Sequence, residues 1–337
     1  MNLTIKDIAQ LAGVSKSTVS RVLNDRPDVN ASVREKVLKI MSDNNYTPNA
    51  QAVAVAKKQS RSIALVIPSE FDHHIINEYY LELIQHLSKL FDDNGFYSLF
   101  VYPDSRKSED LITRRRVDGF VVLSSDRKTS NLMKLIEESD IPCVSTANLK
   151  NGHLPCFDID NRQTGIDATA YLISKGHKDI AYLNFESTLG FEDRLNGYKA
   201  ALSIAGIEYR DSFVMNSEEA TPEGAMESFL QFWKEGNRPS AVFACNDTAA
   251  KGLYAAAYRL GIGIPSDLSI ISVDNQFSSQ YMTPPLTTVN QSLYEKAVFA
   301  AEALLECIHT GNNQESKTLS HSIIERGSVK NLVHVDQ

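Results

Sequence analysis

Amide and carboxylate side chains follow strand-like segments of the sequence, where they could bind the hydroxyl groups of a small molecule. The positions after these segments are 68–71, 124–126, 147–148, 184–186, 246–247 and 274–275. Amides and carboxylates hydrogen-bond to hydroxyls, and an aromatic side chain such as Phe71 covers the C–H face of a sugar ring. Asn and Asp also cap helices that follow strands, and Asp247 suits that role. Each polar position is therefore a candidate for ligand binding or for helix capping.

Short polar and basic side chains share one face of a predicted helix near residue 20. They are Lys16, Ser17, Ser20 and Arg21. Side chains of this kind reach base edges and phosphates when a helix lies in the major groove of DNA. A three-helix bundle with a solvated polar face has the same periodicity, so the pattern alone leaves both alternatives open.

The first sixty residues predict three short helices that would position this face. Thr4 begins a capping-box-like sequence, and Gly13 suits a tight turn after the first helix. Ser15 is expected to cap the second helix, and Asn30 or Ser32 the third. The side chains predicted to face inward are Ile8, Ala9, Leu11, Ala12, Thr18, Val19, Val22, Leu23, Val33, Val37, Ile40 and Met41. A helix, a glycine-containing turn and a second helix form the helix-turn-helix pattern.

Charge is distributed unevenly along the chain. Residues 1–60 contain 9 Lys and Arg against 5 Asp and Glu, whereas the remaining residues contain 25 against 37. The formal net charge of the whole chain is -8. A basic end on an acidic body is typical of a segment that faces phosphates.

From residue 61 onward, strand-like runs alternate with helical patterns. The strand-like runs are 63–67, 97–102, 119–123, 180–184, 213–215, 241–245 and 269–273. Helical patterns lie near 78–93, 106–116, 130–139, 161–175, 192–205, 222–235 and 247–260. This alternation predicts parallel sheets covered on both faces, and two blocks of it predict two lobes. Ligands of such sheets bind beyond the carboxyl ends of the strands, so we expect the polar positions of both lobes to face one cleft.

The sequence lacks motifs of catalysis, metal binding and membrane insertion. It has none of the usual nucleophile, zinc-protease, Walker-type or kinase motifs, and Gly261 and Gly263 lack the third glycine of a dinucleotide loop. The 4 cysteines are scattered, with neither a CxxC pair nor a histidine at ligand spacing. We therefore expect no enzyme activity, no cofactor and no metal. No apolar run reaches about 18 residues and the N-terminus is unlike a signal peptide, so we expect a cytoplasmic protein.

Long stretches of the sequence resemble the LacI/GalR family of bacterial repressors. Two stretches resemble its DNA-binding headpiece: TIKDIAQLAGVSKSTVSRVLN and VREKVLKIMSDNNYTPNA. Others resemble its regulatory domain: VDGFVVL, IDNRQTG, LISKGHKDIAYL, PSAVFACNDTAAKGL, GIGIPSDLSIISVDN and MTPPLTTVNQ. The resemblance covers essentially the whole chain.

The resemblance implies a set of DNA contacts in the headpiece and in a hinge helix that folds on the operator. The family's base-reading positions are matched by Lys16, Ser17 and Arg21. Its phosphate-contacting positions are matched by Thr4, Ser15, Thr18 and Asn24. The complete set of expected DNA-binding residues is Thr4, Ser15, Lys16, Ser17, Thr18, Ser20, Arg21, Asn24, Tyr46, Asn49, Ala52 and Val55.

The resemblance also implies an effector site between the lobes. Arg194, Asn246 and Asp274 match the family's regular effector contacts. The Arg194 guanidinium offers a rigid fork of donors, whereas Asp274 and Asn246 can orient hydroxyls. The complete set of expected effector-binding residues, which includes three candidate aromatic walls, is Phe71, Ser124, Phe157, Phe191, Arg194, Asn246, Asp274 and Asn275.

The implied fold is α/β, with a three-helix helix-turn-helix headpiece and a two-lobed periplasmic-binding-protein-like domain of two doubly wound parallel sheets. We assign the headpiece to 1–47, the hinge helix and linker to 48–60, and the effector-binding and dimerisation domain to 61–330. Lobe 1 takes about 61–158 and 290–318, and lobe 2 takes about 159–288 and 319–330.

The hinge departs from the family pattern. Residues 49–56 read NAQAVAVA, with Val53 and Val55 where the family commonly has a basic residue and a Leu. In the family that Leu enters the minor groove as a wedge between base steps. Because Val is shorter and β-branched, we expect Val55 to produce a smaller kink or to require an easily unstacked central step.

The function implied by the resemblance is a transcriptional regulator, with repression as the expected mode, that binds double-stranded operator DNA as a homodimer. Its expected effector is a sugar or sugar derivative, with a purine corepressor as the alternative. A sugar-binding transport protein shares the two-lobed design but would need a signal peptide and would lack the headpiece. A hydrolase on this fold would need a nucleophile–base pair. The last residues are too few for heptads, so we do not expect a tetramer built on the tail.

Overall fold

Three short helices form the first part of the protein, in a computed structural model that describes residues 3–23, 26–44, 46, 60–68, 77–103, 106–124, 129–149, 154–186 and 189–333. The helices are α1 (Ile5–Ala12), α2 (Lys16–Leu23) and α3 (Ala31–Asp43). The predicted capping box is present, because the Thr4 hydroxyl accepts from the Asp7 amide and the Asp7 carboxylate accepts from the Thr4 amide. Gly13 ends α1 with a φ of 66°, and Asn30 caps α3.

The core of this three-helix unit is small and is filled from all three helices. Ile8, Val19 and Val37 are fully buried within it. The prediction that Leu11 faces inward is wrong, because this side chain is 54% exposed. The side chains that the short helix α1 buries are those of Ile8 and two small alanines. Leu11 therefore lies at the edge of the apolar stripe and remains in contact with solvent.

Strands and helices alternate through the rest of the chain, which forms a separate compact unit from residue 61 onward. The helices are α4 (Glu78–Asp93), α5 (Arg106–Thr113), α6 (Thr129–Glu137), α7 (Asn161–Ser174), α8 (Leu189–Ile204), α9 (Pro222–Lys234), α10 (Asp247–Leu260) and α11 (Leu293–Thr310). The strands are β1 (Ser62–Val66), β2 (Tyr97–Val101), β3 (Gly119–Val122), β4 (Cys143–Ser145), β5 (Phe157–Ile159), β6 (Ile180–Phe185), β7 (Val214–Ser217), β8 (Ala241–Ala244), β9 (Ser269–Asp274), β10 (Thr287–Asn290), β11 (Lys317–Leu319) and β12 (Ser322–Ile324).

Lobe 1 contains a parallel sheet in the order β2-β1-β3-β4. The parallel pair β5 and β11 continues this sheet through a bridge between Ser145 and Cys156. One apolar layer packs the sheet against α4 and α11, and a second lies on the side of α5 and α6. The sheet is therefore covered on both faces, as buried parallel strands require.

Lobe 2 contains a sheet in the order β12-β10-β9-β8-β6-β7, parallel except for the antiparallel β12 at its edge. Its helices α7 and α8 approach closely because glycines lie at their contact. A Cβ atom on Gly165 would lie 2.2 Å from the Arg194 carbonyl oxygen, and one on Gly197 would lie 2.2 Å from that of Arg162. These glycines therefore set where α8 and its side chains lie.

The predicted fold class, a headpiece followed by two doubly wound sheets, is confirmed. The sequence patterns did not assign the short strands β4, β5, β10, β11 and β12 or the long helix α11. The chain passes between the two sheets three times, after β5, after β10 and between β11 and β12. Within the described ranges, no helix is long and apolar enough to cross a membrane.

Candidate functional site

The outer face of α2 carries the predicted base-reading side chains. Lys16, Ser17 and Arg21 are exposed, and Ser20 is half-buried. Arg21 lies 3.5 Å from Asp28 in an ion pair whose side chains are about 60% exposed (61% and 59%). Exposed pairs of this kind contribute little. The guanidinium of Arg21 can therefore leave Asp28 for a stronger partner at small cost.

Two of the predicted phosphate-contacting side chains already hold the N-terminus of α2. The Ser15 hydroxyl accepts from the Thr18 amide at 3.0 Å and lies 2.8 Å from the Thr18 hydroxyl. Thr4 caps α1, and half-buried Tyr46 packs against the headpiece core, where burial raises the pKa of its phenol. The positions predicted at Asn24, Asn49, Ala52 and Val55 lie outside the described residues.

A cleft between the two lobes is lined by side chains from both of them. It encloses about 560 Å³, including the part that opens to solvent. Lobe 1 contributes Asn77, Tyr79, Tyr80, Ser124 and Asn148. Lobe 2 contributes Asn161, Phe191, Arg194, Asn246 and Asp274. Asp158 and Gln291 lie where the chain crosses between the lobes.

Arg194 is a buried cation on α8, with hydrogen-bond partners that fix its guanidinium. Its Nε donates to Asn161 Oδ1 at 2.9 Å, and its Nη1 donates to the Cys245 carbonyl at 2.5 Å. The guanidinium carbon lies 5.5 Å from the centre of the Phe191 ring. These contacts leave Nη2 as the end of the fork that can serve a bound molecule.

Asp274 ends β9 with a φ of 123°, a backbone conformation that side chains other than glycine rarely adopt. Such strain persists only where the surroundings hold it, and it concentrates at functional sites. Gln291 donates to Asp274 Oδ1 at 2.6 Å, and Arg194 Nη1 lies 4.0 Å from the same oxygen. Burial raises the pKa of the Asp274 carboxyl to about 7, against the opposing effect of Arg194 and with a further contribution from Asp247.

Asn246 takes both of the roles that the sequence left open, and the prediction that Asp247 caps the following helix is wrong. The side-chain oxygen Oδ1 of Asn246 caps α10 by accepting from the Ala249 amide at 2.9 Å, while the residue also lines the cleft. The fully buried Asp247 carboxylate accepts from Ser272, Ser279, Thr288 and the Gln276 amide. Burial raises the pKa of this carboxyl. Asp247 therefore supports the end of β9 from behind and does not line the cleft.

Two of the predicted effector residues, Phe157 and Asn275, do not line the cleft. Phe157 is 3% exposed and packs in the core of lobe 1, because its position on β5 points it into the sheet layer. Asn275 accepts from Arg326 at 2.6 Å and turns away from the lining residues. Phe71 lies outside the described residues. Ser124, Phe191, Arg194, Asn246 and Asp274 are brought together.

Comparisons with known proteins identify both parts of the chain. Residues 4–49 match the model of bacterial regulatory proteins of the lacI family, and residues 169–329 match the periplasmic binding protein-like domain. The chain is 31% identical to the catabolite control protein A of Priestia megaterium over 339 residues, which cover 98% of this chain and 100% of that protein. The chain belongs to the lacI family of bacterial regulatory proteins.

Other members of the lacI family match over a similar length. The transcriptional repressor PurR of Vibrio campbellii is 33% identical over 341 residues, covering 98% of this chain and 99% of that protein. The solved complex of the transcriptional regulator CelR with cellobiose has a TM-score of 0.73 and 25% identity, covering 97% of this chain and 99% of that one. The family predicted from the motifs is thus confirmed. The chain is a transcriptional regulator, and the curated relatives are regulators rather than enzymes.

Several cleft residues of this lacI-family regulator were not found from the sequence. Tyr79 and Tyr80 come from the first turn of α4, and Asn161 begins α7. Asp158 and Gln291 lie where the chain crosses between the lobes. The expectation that ligands bind beyond the carboxyl ends of strands does not predict residues at such crossings. A signal existed for one residue behind the cleft, because Lys296 lies between Leu293 and Ala300 on the apolar face of α11.

Proposed function

We propose that this regulator represses transcription by binding operator DNA as a dimer, and that a sugar bound in the cleft controls its DNA affinity. The observation that carries the effector part is the convergence of Arg194, Asn246 and Asp274 on one space between two lobes. A ligand held by both lobes favours one arrangement of them. If that arrangement also changes DNA affinity, linkage requires each ligand to alter the affinity for the other.

The DNA part rests on the outer face of α2. Lys16, Ser17 and Arg21 are exposed together on a helix that follows the Gly13 turn. In this proposal they read base edges in the major groove, with Ser20 beside them, while Thr4, Ser15, Thr18 and Tyr46 meet the backbone. The sequence-based proposals for Asn24, Asn49, Ala52 and Val55 extend the contacts into the hinge. DNA as a partner also implies a cytoplasmic location.

The effector part favours a sugar. The cleft offers the hydroxyl-binding groups of Asn246, Asp274 and Arg194, and the ring of Phe191 lies beside them. Ser124 lines the same space, and the CelR relative is named as a complex with cellobiose. We keep Phe71 as a proposed aromatic wall on the resemblance alone. The proposed domain limits are 1–47, 48–60 and 61–330, as inferred from the sequence.

The dimer part is supported by an exposed apolar edge in lobe 1. On the edge strand β2, Tyr97 is 71% exposed and Phe100 is 59% exposed. An apolar sheet edge of this kind is normally covered by a partner. A second copy of the chain is the occupant that a two-fold symmetric operator requires, because each headpiece reads one half-site.

Selection from a random DNA library tests the DNA part of the proposal. We expect the purified protein to enrich a pseudo-palindrome, and at least one sugar to change its affinity for that site by about fivefold or more. A thermal-shift screen of sugars and nucleobases identifies the effector class, because a ligand at about 100 times its dissociation constant adds roughly 2.7 kcal/mol. Failure to enrich any site would contradict the proposed function, and a shift with nucleobases alone would replace the sugar by a purine.

A further inference from the structure

The side chain of Lys296 is buried directly behind the residues that line the cleft and is hydrogen-bonded to several of them. It is 0% exposed. Its ammonium donates to Asp158 Oδ1 at 2.7 Å, to the Tyr79 hydroxyl at 2.9 Å and to Gln291 Oε1 at 3.3 Å. All three acceptors line the cleft. Since an ammonium group has three donors, Lys296 uses its whole hydrogen-bonding capacity on cleft side chains.

Packing alone does not require a charge at this position. On the buried face of α11, Lys296 lies beside the apolar side chains of Leu293, Ala297 and Ala300. Burying an ammonium group is costly, and a buried ion pair can often be replaced by apolar side chains without loss of stability. We therefore attribute the charge of Lys296 to its effect on its three hydrogen-bond partners, which line the cleft.

Asp158 lines the cleft, and its carboxylate is held in a fixed orientation. Its Oδ1 accepts from Lys296 and from the Ile159 amide, and its Oδ2 accepts from Asn161 at 3.1 Å. A carboxylate has about four acceptor sites, so Oδ2 keeps capacity for one further donor. Because the Tyr79 oxygen accepts from Lys296, the hydrogen of that hydroxyl must point to another group. Asp158 and Tyr79 thus form an adjacent acceptor and donor.

These contacts join cleft side chains into a ring of hydrogen bonds that is closed by the Arg194–Asp274 ion pair at 4.0 Å. From Lys296 it runs through Gln291 to Asp274 and Arg194, and returns through Asn161 to Asp158. Each cation in the ring has a carboxylate partner, Lys296 with Asp158 and Arg194 with Asp274. Among the described residues that line the cleft, Arg194 is the one cation, against the two carboxylates Asp158 and Asp274. A phosphate or carboxylate in the cleft would face two carboxylates.

We propose that Asp158, positioned by Lys296, is a second hydroxyl-accepting carboxylate of the effector site and selects a neutral polyol over a phosphorylated or acidic sugar. The inference rests on the proposed function, because it takes the cleft as the effector site. Asp274 and Asp158 then bind different hydroxyls of the same molecule. Lys296 acts only through the side chains that it orients.

A ligand panel tests the selectivity on the unaltered protein. Calorimetry measures binding of ribose, glucose, galactose, maltose and cellobiose, and of ribose 5-phosphate, glucose 6-phosphate and glucuronate as charged counterparts. We expect binding by at least one neutral sugar and at least tenfold weaker binding by its charged counterpart. Tighter binding of a charged counterpart, or no binding by any neutral sugar, overturns the inference. Selection of an operator in the same preparation separates this failure from failure of the proposed DNA binding.

A paired substitution tests the role of Asp158 itself. Asp158→Leu with Lys296→Met removes both charges together, so the fold is expected to survive. We expect the variant to bind its operator but to bind the best neutral sugar of the panel at least about tenfold more weakly, since a hydrogen bond to a charged group is lost. The matched control is Lys175→Met with Glu325→Leu, which removes a lysine–carboxylate pair at 2.9 Å that does not line the cleft.

Deoxy analogues of the same neutral sugar separate direct contact from a structural effect. One monodeoxy analogue should bind the unaltered protein weakly and lose nothing further in the Asp158/Lys296 variant. If the variant loses affinity equally for the sugar and for every deoxy analogue, or keeps its full affinity, Asp158 does not bind a hydroxyl and the inference is wrong. The panel result on the unaltered protein stands even if the variant does not fold.

Discussion

Lys251 of lobe 2 and Glu78 of lobe 1 form an ion pair that joins the lobes, with Nζ of Lys251 2.8 Å from Oε1 of Glu78. The Ser278 amide donates to the other Glu78 oxygen at 3.0 Å. Burial acts to raise the pKa of the Glu78 carboxyl, but the hydrogen bonds and the charge of Lys251 outweigh it and lower that pKa. The Glu78 carboxylate therefore stays ionised at neutral pH, and its ion pair with Lys251 stabilises the lobe arrangement described above.

We expect Glu78→Gln to weaken sugar binding, because the cleft needs both lobes in place. The two side chains are about 30% exposed (32% and 28%), so the loss should be about 1 kcal/mol or less, up to roughly fivefold in the dissociation constant. Calorimetry with the best-binding neutral sugar measures it. The control is Asp110→Asn, which removes an exposed ion pair between α5 and Arg114, the residue that follows this helix. Equal effects of both substitutions would contradict a role between the lobes.

The affinity for a sugar should rise with pH around neutrality. Burial raises the Asp274 carboxyl pKa to about 7, with Arg194 opposing it and Asp247 adding to it. The ionised carboxylate is the better acceptor for a hydroxyl, so affinity should increase about tenfold from pH 6 to pH 8. Binding should release a proton near pH 7, which calorimetry in buffers of different ionisation enthalpy detects. Asp274→Asn should bind more weakly without this pH dependence, whereas Asp267→Asn, in an exposed turn, should retain it.

The raised pKa of the Asp274 carboxyl should make the folded protein less stable as the pH rises, which is opposite to its effect on sugar affinity. Between about pH 4 and pH 7 the folded protein keeps a proton on Asp274 that the unfolded chain has lost, so the free energy of unfolding falls as the pH rises. Thermal unfolding of the free protein at pH 5 and pH 7, compared with Asp274→Asn, checks this contribution. A larger pH 5 advantage in the Asn variant would show that other groups determine it.

Much of the fold could be predicted from the sequence because strands and helix ends are indicated by local residue patterns. Alternating apolar runs gave the main strands of both sheets, and Thr4, Gly13 and Asn30 gave the helix ends of the headpiece. The predictions that proved wrong concern side chains whose burial depends on tertiary contacts. Leu11 fits the apolar spacing of α1, but nothing in its local sequence tells that the facing helices leave it in solvent.

The candidate site was predictable to the extent that strands end there. Asp274 and Asn246 follow β9 and β8 directly, so topology alone directs them to the cleft. Asp158 and Gln291 reach the cleft only because the chain crosses between the lobes at these points. Phe157 was expected there as an aromatic wall, but whether a residue of a short strand faces the cleft or the core depends on which sheet that strand joins.

Arg21→Ala should reduce sequence discrimination more than it reduces general DNA affinity. A bidentate arginine contact to a base contributes roughly 1–3 kcal/mol of discrimination. The measurement compares binding to the selected operator and to random DNA at one fixed salt concentration. Lys39→Ala is the control, because it removes an exposed positive charge from α3 of the same unit. Equal losses on both DNAs would make Arg21 a phosphate contact.

Gly165→Ala should weaken effector binding from a position that does not line the cleft. The added Cβ would lie 2.2 Å from the Arg194 carbonyl oxygen, so α8 must move away from α7. Overpacking of this kind costs about 1–3 kcal/mol of stability, and here it also shifts the guanidinium that Asn161 and Cys245 hold.

Thermal unfolding and calorimetry with the best-binding neutral sugar measure the two effects of Gly165→Ala separately. The control is Ala170→Ser, which adds one atom at an exposed position of α7. We expect the glycine variant to unfold at a lower temperature and to lose at least about tenfold in sugar affinity, while operator binding by the folded fraction persists because the headpiece is a separate compact unit. Lower stability with unchanged sugar affinity would mean that Arg194 keeps its place when the helices separate, and that the close approach of α7 and α8 serves the fold alone.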